Sequence, residues 1–118
     1  HSLIKPYILI PLVMSAFDRD KEQIRMFADL KTPGPYLDVI EAALDRATRE
    51  FTELKREFRK RGIKVYELKR SPVGYDAKYV CRGYHRTFSL LYTYANAEGE
   101  ILMRKYLGIA EETKRPPE

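Results

Sequence analysis

Leu37, Ile40, Leu44, Ala47, Phe51, Leu54 and Phe58 recur at alternating intervals of three and four, the period that lines one face of an α-helix. No other feature of the chain restricts its fold as much. The run opens with residues that start helices: Thr32 or Gly34 as cap, Pro33 or Pro35 in the first turn, and Asp38 just inside. It closes with Arg59, Lys60 and Arg61, whose charges suit the negative end of the helix dipole, and then Gly62, a residue that readily turns left-handed past a helix end. The spacing predicts a helix over Pro35–Arg61, about 40 Å long at 1.5 Å per residue. In a chain of 118 residues such a helix obliges the other elements to pack along it. On its outer face Asp45 with Arg49 and Glu57 with Arg61 stand at i,i+4, each pair contributing a few tenths of a kcal/mol. A seam of this kind can mark a coiled coil between chains, but in a small domain it more often marks one helix packed against its own neighbours, and that is the reading taken.

The first element spans about Leu3 to Leu30. Pro6 and Pro11 cannot both occupy one first turn, so a helix either kinks at Pro11 or begins there after an extended lead-in. The second is favoured, with Met14, Phe17, Ile24 and Phe27 as its stripe. Tyr7 to Phe17 is apolar except for Ser15, and a segment apolar all round must be buried all round, inside the monomer or at a subunit contact. It is too short to cross a bilayer, and removing it as a signal peptide would take away the long helix's partner. His1–Ser2 reads as the remnant of an expression tag, so His1 supports no argument.

After Gly62 the period falls to two. Lys64–Arg70, the turn Ser71-Pro72-Val73-Gly74, and Tyr75–Arg82 predict a β-hairpin. Tyr75, Ala77, Tyr79 and Cys81 share one face of its second strand, and Asp76, Lys78, Val80 and Arg82 the other. Tyr66 and Leu68 alternate with Val65, Glu67 and Lys69 on the first strand. Two strands alone are unstable in water and must lie on helices. Phe88–Tyr94 has the composition of a strand, yet Tyr84, Phe88, Leu91, Ala95, Leu102 and Tyr106 fit helical spacing, and Glu100–Leu107 before Gly108 reads as a helix end. A helix over about Arg86–Leu107 is the expectation, despite the cost of about 1 kcal/mol for Gly99 inside it; further strands, extending the hairpin to a four-stranded antiparallel sheet, are the alternative. The fold class expected is therefore α+β: a long central helix packed with N- and C-terminal helices and a two-stranded antiparallel β-hairpin, in a single domain over residues 1–110. The polar, proline-ended stretch 111–118 is expected to be disordered.

A 118-residue chain can bury its own core without disulfide or metal. Cys81 is the only cysteine, which precludes an internal disulfide and favours a reducing, cytoplasmic setting. With no apolar run of about 18 residues, no membrane role is expected. Net charge is +5, but residues 55–86 hold eleven Lys or Arg against Glu57, Glu67 and Asp76, a local balance of +8. Such clustering suits a polyanion, although a solvated helix end and a guarded strand edge would produce it too.

Catalytic chemistry finds little support. Cys81 and His85 lie four apart with Arg82 and Arg86 alongside, and a Cys–His pair among cations can make a nucleophile, but no third residue orients them. Two ligands do not make the four of a structural zinc site. The glycines are scattered and form no phosphate loop. Asp18, Asp20 and Glu22 sit in a charged, exposed stretch with no implied cleft. No cofactor, metal or small-molecule substrate is expected.

Between Lys64 and Arg86, bases interleave with tyrosines. Phosphates need cations and unstacked bases need flat rings, so this mixture suits single-stranded nucleic acid. The expected contact residues are Arg59, Lys60, Lys64, Lys69, Arg70, Lys78, Arg82 and Arg86, with Tyr79 and Tyr84 as stacking rings. Duplex binding would rely more on the helix end from Lys55 to Arg61. The function expected is that of a small, basic, non-enzymatic regulatory protein that binds nucleic acid through residues 55–86. The alternative is a protein-interaction module, a dimeric adaptor or inhibitor, using the Tyr7–Phe17 run and the heptad seam, where tyrosines are equally at home.

Overall fold

The computed structural model describes residues 3–109. Its axis is α2 (Pro33–Lys60), with Thr32 at the N-cap and Pro33 first in the helix. The fixed φ of proline suits that position, and its missing N–H is one that no helical carbonyl would have accepted. At the other end Arg61 caps the helix, and Gly62 follows with φ 66°, a left-handed conformation that glycine adopts without a Cβ clash. The seam residues Leu44, Ala47, Leu54 and Phe58 are buried, and Leu37, Ile40 and Phe51 half-buried. Of the two pairs expected on the outer face, Glu57–Arg61 forms at 2.8 Å; Asp45 and Arg49 do not come within ion-pair distance.

α1 (Ile4–Met26) runs antiparallel to α2 and begins well before Pro11, contrary to the extended lead-in expected. Pro6 falls in the first turn, where its ring is harmless. Pro11 lies inside the helix and leaves the Tyr7 carbonyl without its helical donor. Burial outweighs that loss: Ile4, Ile8, Leu9, Ile10, Val13 and Phe17 are all at most 3% exposed. Each buried aliphatic or aromatic side chain contributes about 1.5–3 kcal/mol, so this row offsets one missing hydrogen bond several times over. The expected stripe shifts accordingly. Phe17 is core, but Phe27 lies past the helix end and is 71% exposed. Tyr7 stacks on Phe58 with ring centroids 5.1 Å apart, and Lys21 reaches Glu41 at 3.0 Å, tying the two helices at both ends.

The larger correction concerns the sheet. β1 (Ile63–Arg70), β2 (Gly74–Cys81) and β3 (Tyr84–Leu91) form a three-stranded antiparallel sheet in the order β1-β2-β3, not a two-stranded hairpin and not a four-stranded sheet. The hairpin β1–β2 and its turn match expectation. Ser71 accepts the N–H of Val73 and of Gly74 through Oγ, at 3.2 and 3.1 Å, closing the turn. The helix expected over Arg86–Leu107 instead splits. Residues 84–91 pair with β2, Cys81 opposite Tyr84 and Gly74 opposite Leu91, and only α3 (Tyr92–Leu107) is helical. Arg82 and Gly83, with φ 51° and 87°, make the two-residue turn that starts this second hairpin, the backbone that matches strand twist. A ladder of hydrogen bonds to β2 thus outweighs the helical spacing of Tyr84, Phe88 and Leu91.

Ile63, Ala77, Tyr79 and Leu90 turn one face of the sheet toward the helices and are at most 7% exposed. α3 folds back from β3 onto α1 and α2, where Arg46 donates to the Tyr106 carbonyl and Lys105 meets Glu50 at 3.1 Å. Residues 111–118, expected to be disordered, and His1 and Ser2 lie outside the described residues. Among the described residues, no helix is long and apolar enough to cross a membrane.

Candidate nucleic-acid interface

The passage from α2 to β1 and the turn from β2 to β3 meet at one end of the molecule. The backbone N–H of Arg82 donates to the carbonyl of Gly62 at 3.0 Å, and the Arg82 side-chain stem passes beside Gly62, with Cγ 3.5 Å from where a Cβ would stand. This contact brings Arg82 to the end of α2, whose last turn carries Arg59 and Lys60 and which leads through Gly62 into β1 and Lys64. All four side chains are exposed. Tyr84, next along the turn, is 70% exposed. Arg86 is also exposed, two residues further on β3 and opposite Tyr79.

Among the described residues, no carboxylate lies within ion-pair distance of Arg59, Lys60, Lys64, Arg82 or Arg86. The nearby acids are engaged elsewhere on α2: Glu57 holds Arg61 at 2.8 Å, and Glu53 takes Arg56. Two of these cations offset the partial negative charge of the helix end, equivalent to about half an elementary charge. The rest leave a net positive field there.

The other expected contact residues separate from this group. Lys69 and Arg70 stand at the far end of β1, about 16 Å from Lys64 at the rise of a strand. Lys78 lies mid-sheet, 3.6 Å from Glu67, which also draws Lys69 at 3.8 Å. Arg70 sits over the Tyr75 ring at 5.8 Å. Tyr79 is the clearest correction: at 2% exposure its ring belongs to the core and presents no surface for a base. Its alternation with Ala77 and Cys81 on the apolar face already pointed inward.

Cys81 and His85 are divided by the sheet itself. Cys81 shares the inner face with Ala77 and Tyr79, whereas His85 stands opposite Val80 on the outer face. They cannot act as a nucleophile and its base from opposite sides. His85 instead meets Tyr66, whose hydroxyl lies 3.1 Å from Nδ1. Sequence reasoning missed this pair because strict alternation groups Tyr66 with Leu68. A register shift between Val65 and Glu67 breaks the alternation: Tyr66 lies outward beside His85, while Leu68, 47% exposed, borders a cavity that Tyr7, Pro11 and Tyr75 also line. Nothing in the local sequence marks the bulge.

Comparison with known proteins places the chain in a family. The family model described as YhjD protein matches residues 1–111. The chain belongs to the YhjD family. A relative from Bacillus subtilis (strain 168), named "Uncharacterized protein YhjD", is 30% identical over 92 residues, which cover 75% of this chain and 76% of that protein. No solved structure matches the chain. The matched 1–111 takes in every element of this YhjD-family fold, from α1 to α3.

The groups whose acidity the fold moves lie away from the basic end. A hydrogen bond to Glu41 holds the Lys21 ammonium above its ordinary value. Burial, and then the charge of Glu50, raise the Tyr106 phenol. A cleft of about 470 Å³ runs between α1 and α3, lined by Leu9, Leu12, Val13, Ala95 and Met103 with Glu100 and Asn96 at its edge.

Proposed function

We propose that this protein is a non-enzymatic regulatory protein that binds nucleic acid through its basic end, with Arg59, Lys60, Lys64, Arg82 and Arg86 as the phosphate contacts and Tyr84 beside them. The observation that carries the reading is the Arg82–Gly62 backbone hydrogen bond. It fastens Arg82, from the β2–β3 turn, to the end of α2 that carries Arg59 and Lys60, and none of the three has a described carboxylate partner; Lys64 and Arg86 flank this end on opposite faces of the sheet. Binding there would release condensed counterions, so affinity would fall steeply with salt. The expected residue set narrows, since Lys69 and Lys78 lean on Glu67 and Tyr79 is interior.

The protein-interaction alternative relied on the Tyr7–Phe17 run and the α2 seam. Both are largely packed against each other within the monomer, which favours the first reading. The test is titration of labelled single- and double-stranded oligonucleotides across about 50–300 mM salt. The triple variant Arg59→Glu, Lys60→Glu, Arg82→Glu is expected to lose binding while keeping its urea midpoint. Wild-type affinity in that variant would refute the proposal.

A further inference from the structure

No element among the described residues covers the outer face of the sheet, and the face changes character from one end to the other. Its cross-strand rows read Lys64–Val80–His85, then Glu67–Lys78–Thr87, then Lys69–Asp76–Ser89. The first row has no carboxylate. In the second, Glu67 is drawn to Lys78 and Lys69. In the third, Asp76 accepts a hydrogen bond from Ser89 at 2.7 Å. The face is therefore most positive where it joins the basic end at Lys64 and Arg82.

At that end stand two exposed flat rings. Tyr66 and His85 meet edge to face, centroids 5.6 Å apart and planes at 78°, and the 3.1 Å hydrogen bond between Oη and Nδ1 fixes both. Tyr66 is 49% exposed. A hydrogen bond between two surface side chains restricts their rotamers before any ligand arrives, which lowers the entropy lost on binding. The other tyrosines of this region are differently placed: Tyr79 is buried, Tyr75 packs edge-on against Tyr92 at 5.1 Å, and the exposed Tyr84 stands opposite Cys81, on the other face of the sheet from His85.

We infer that the ligand of the basic end is single-stranded nucleic acid, and that the Tyr66–His85 pair is where its bases stack. The inference rests on the reading of the basic end given above. Phosphates would lie along Arg82, Lys64 and the last turn of α2, and bases would turn onto the open sheet face, where rings and not carboxylates await them. A duplex keeps its bases stacked inside and cannot use the pair, so the pair selects single strands.

The test is fluorescence anisotropy with a labelled oligothymidylate of about twelve nucleotides and a duplex of equal phosphate count, on wild type, Tyr66→Ala, Tyr66→Phe and His85→Ala. The wild type is expected to prefer the single strand. Tyr66→Ala should weaken single-strand binding by about 5- to 100-fold, the loss of one stacked base, with duplex binding and the salt slope unchanged. Tyr66→Phe keeps the ring and should keep most of the affinity; His85→Ala frees the Tyr66 ring and should fall between. Wild-type single-strand affinity in both alanine variants, or equal affinity of the wild type for both ligands, overturns the inference and leaves the basic end standing. No binding of either ligand at the lowest salt overturns both.

Discussion

Arg82 and Gly62 are twenty residues apart in the chain and joined by one hydrogen bond, N–H to carbonyl at 3.0 Å. Gly62 ends α2, and Arg82 opens the turn between β2 and β3. The contact registers the second hairpin against the helix end and holds Arg82 there.

Replacing Arg82 with Gln removes a charge but not the backbone donor. The surface keeps its geometry and loses one phosphate contact. The log–log salt slope for nucleic-acid binding, about −3.5 for five phosphates on a single strand, is expected to become shallower by about 0.7. The urea midpoint stays where it was. An unchanged slope would show that Arg82 meets no phosphate.

Gly74 begins β2 where the chain passes close to β3. A Cβ there would stand 2.2 Å from the Leu90 carbonyl oxygen and 2.9 Å from the Leu91 Cα. Both obstacles are backbone, which yields only by moving a strand. Gly74→Ala is expected to destabilise the fold by about 1–3 kcal/mol or more, the range of overpacked interiors, seen as a lower urea midpoint at unchanged m-value. A midpoint equal to wild type would mean that the two strands part without cost.

Gly99 is the opposite case. It lies in the middle of α3, and a Cβ there would meet only Val13 Cγ2, at 3.9 Å. That is ordinary contact, so the helix gains alanine's propensity without a clash. Gly99→Ala is expected to stabilise by up to about 1 kcal/mol, raising the thermal midpoint by several degrees. A lower midpoint would indicate a closer approach of α1 and α3.

Tyr106 is 2% exposed, and its hydroxyl has no hydrogen-bond partner among the described residues. Burial and the nearby Glu50 charge hold the phenol above its ordinary range. The folded chain thus keeps a proton that the unfolded chain releases from about pH 10. The stability linked to this group is complete below that pH and declines as the pH rises past it. Tyr106→Phe removes the titration and an unpaired buried oxygen, so it is expected to be neutral or stabilising by up to about 1 kcal/mol at pH 7. Its stability should also fall less than wild type's above pH 10. An equal alkaline decline in both proteins would place the sensitivity in another group.

What was legible in the chain was local. Pro33 and Gly62 bound α2 in sequence as in space, and the Ser71–Gly74 turn names its hairpin because its hydrogen bonds close within four residues. The candidate site was legible only as composition: Arg82 is held at the end of α2 that carries Arg59 and Lys60, while Lys69 and Arg70 stand at the far end of β1. Tyr66–His85 was not legible, because the bulge that puts Tyr66 and Leu68 on different faces is set by pairing with β2.

The sequence by itself determined the long helix, the β1–β2 hairpin and the stretch holding most of the positive charge, since caps, turns and period act over a few residues. Only the tertiary structure decided that residues 84–91 are a strand and that α1 begins before Pro11. In both places local preference is divided or adverse. The deciding energy comes from partners distant in the chain: the ladder with β2 for the strand, and the burial of Ile4, Ile8, Leu9 and Ile10 for the helix.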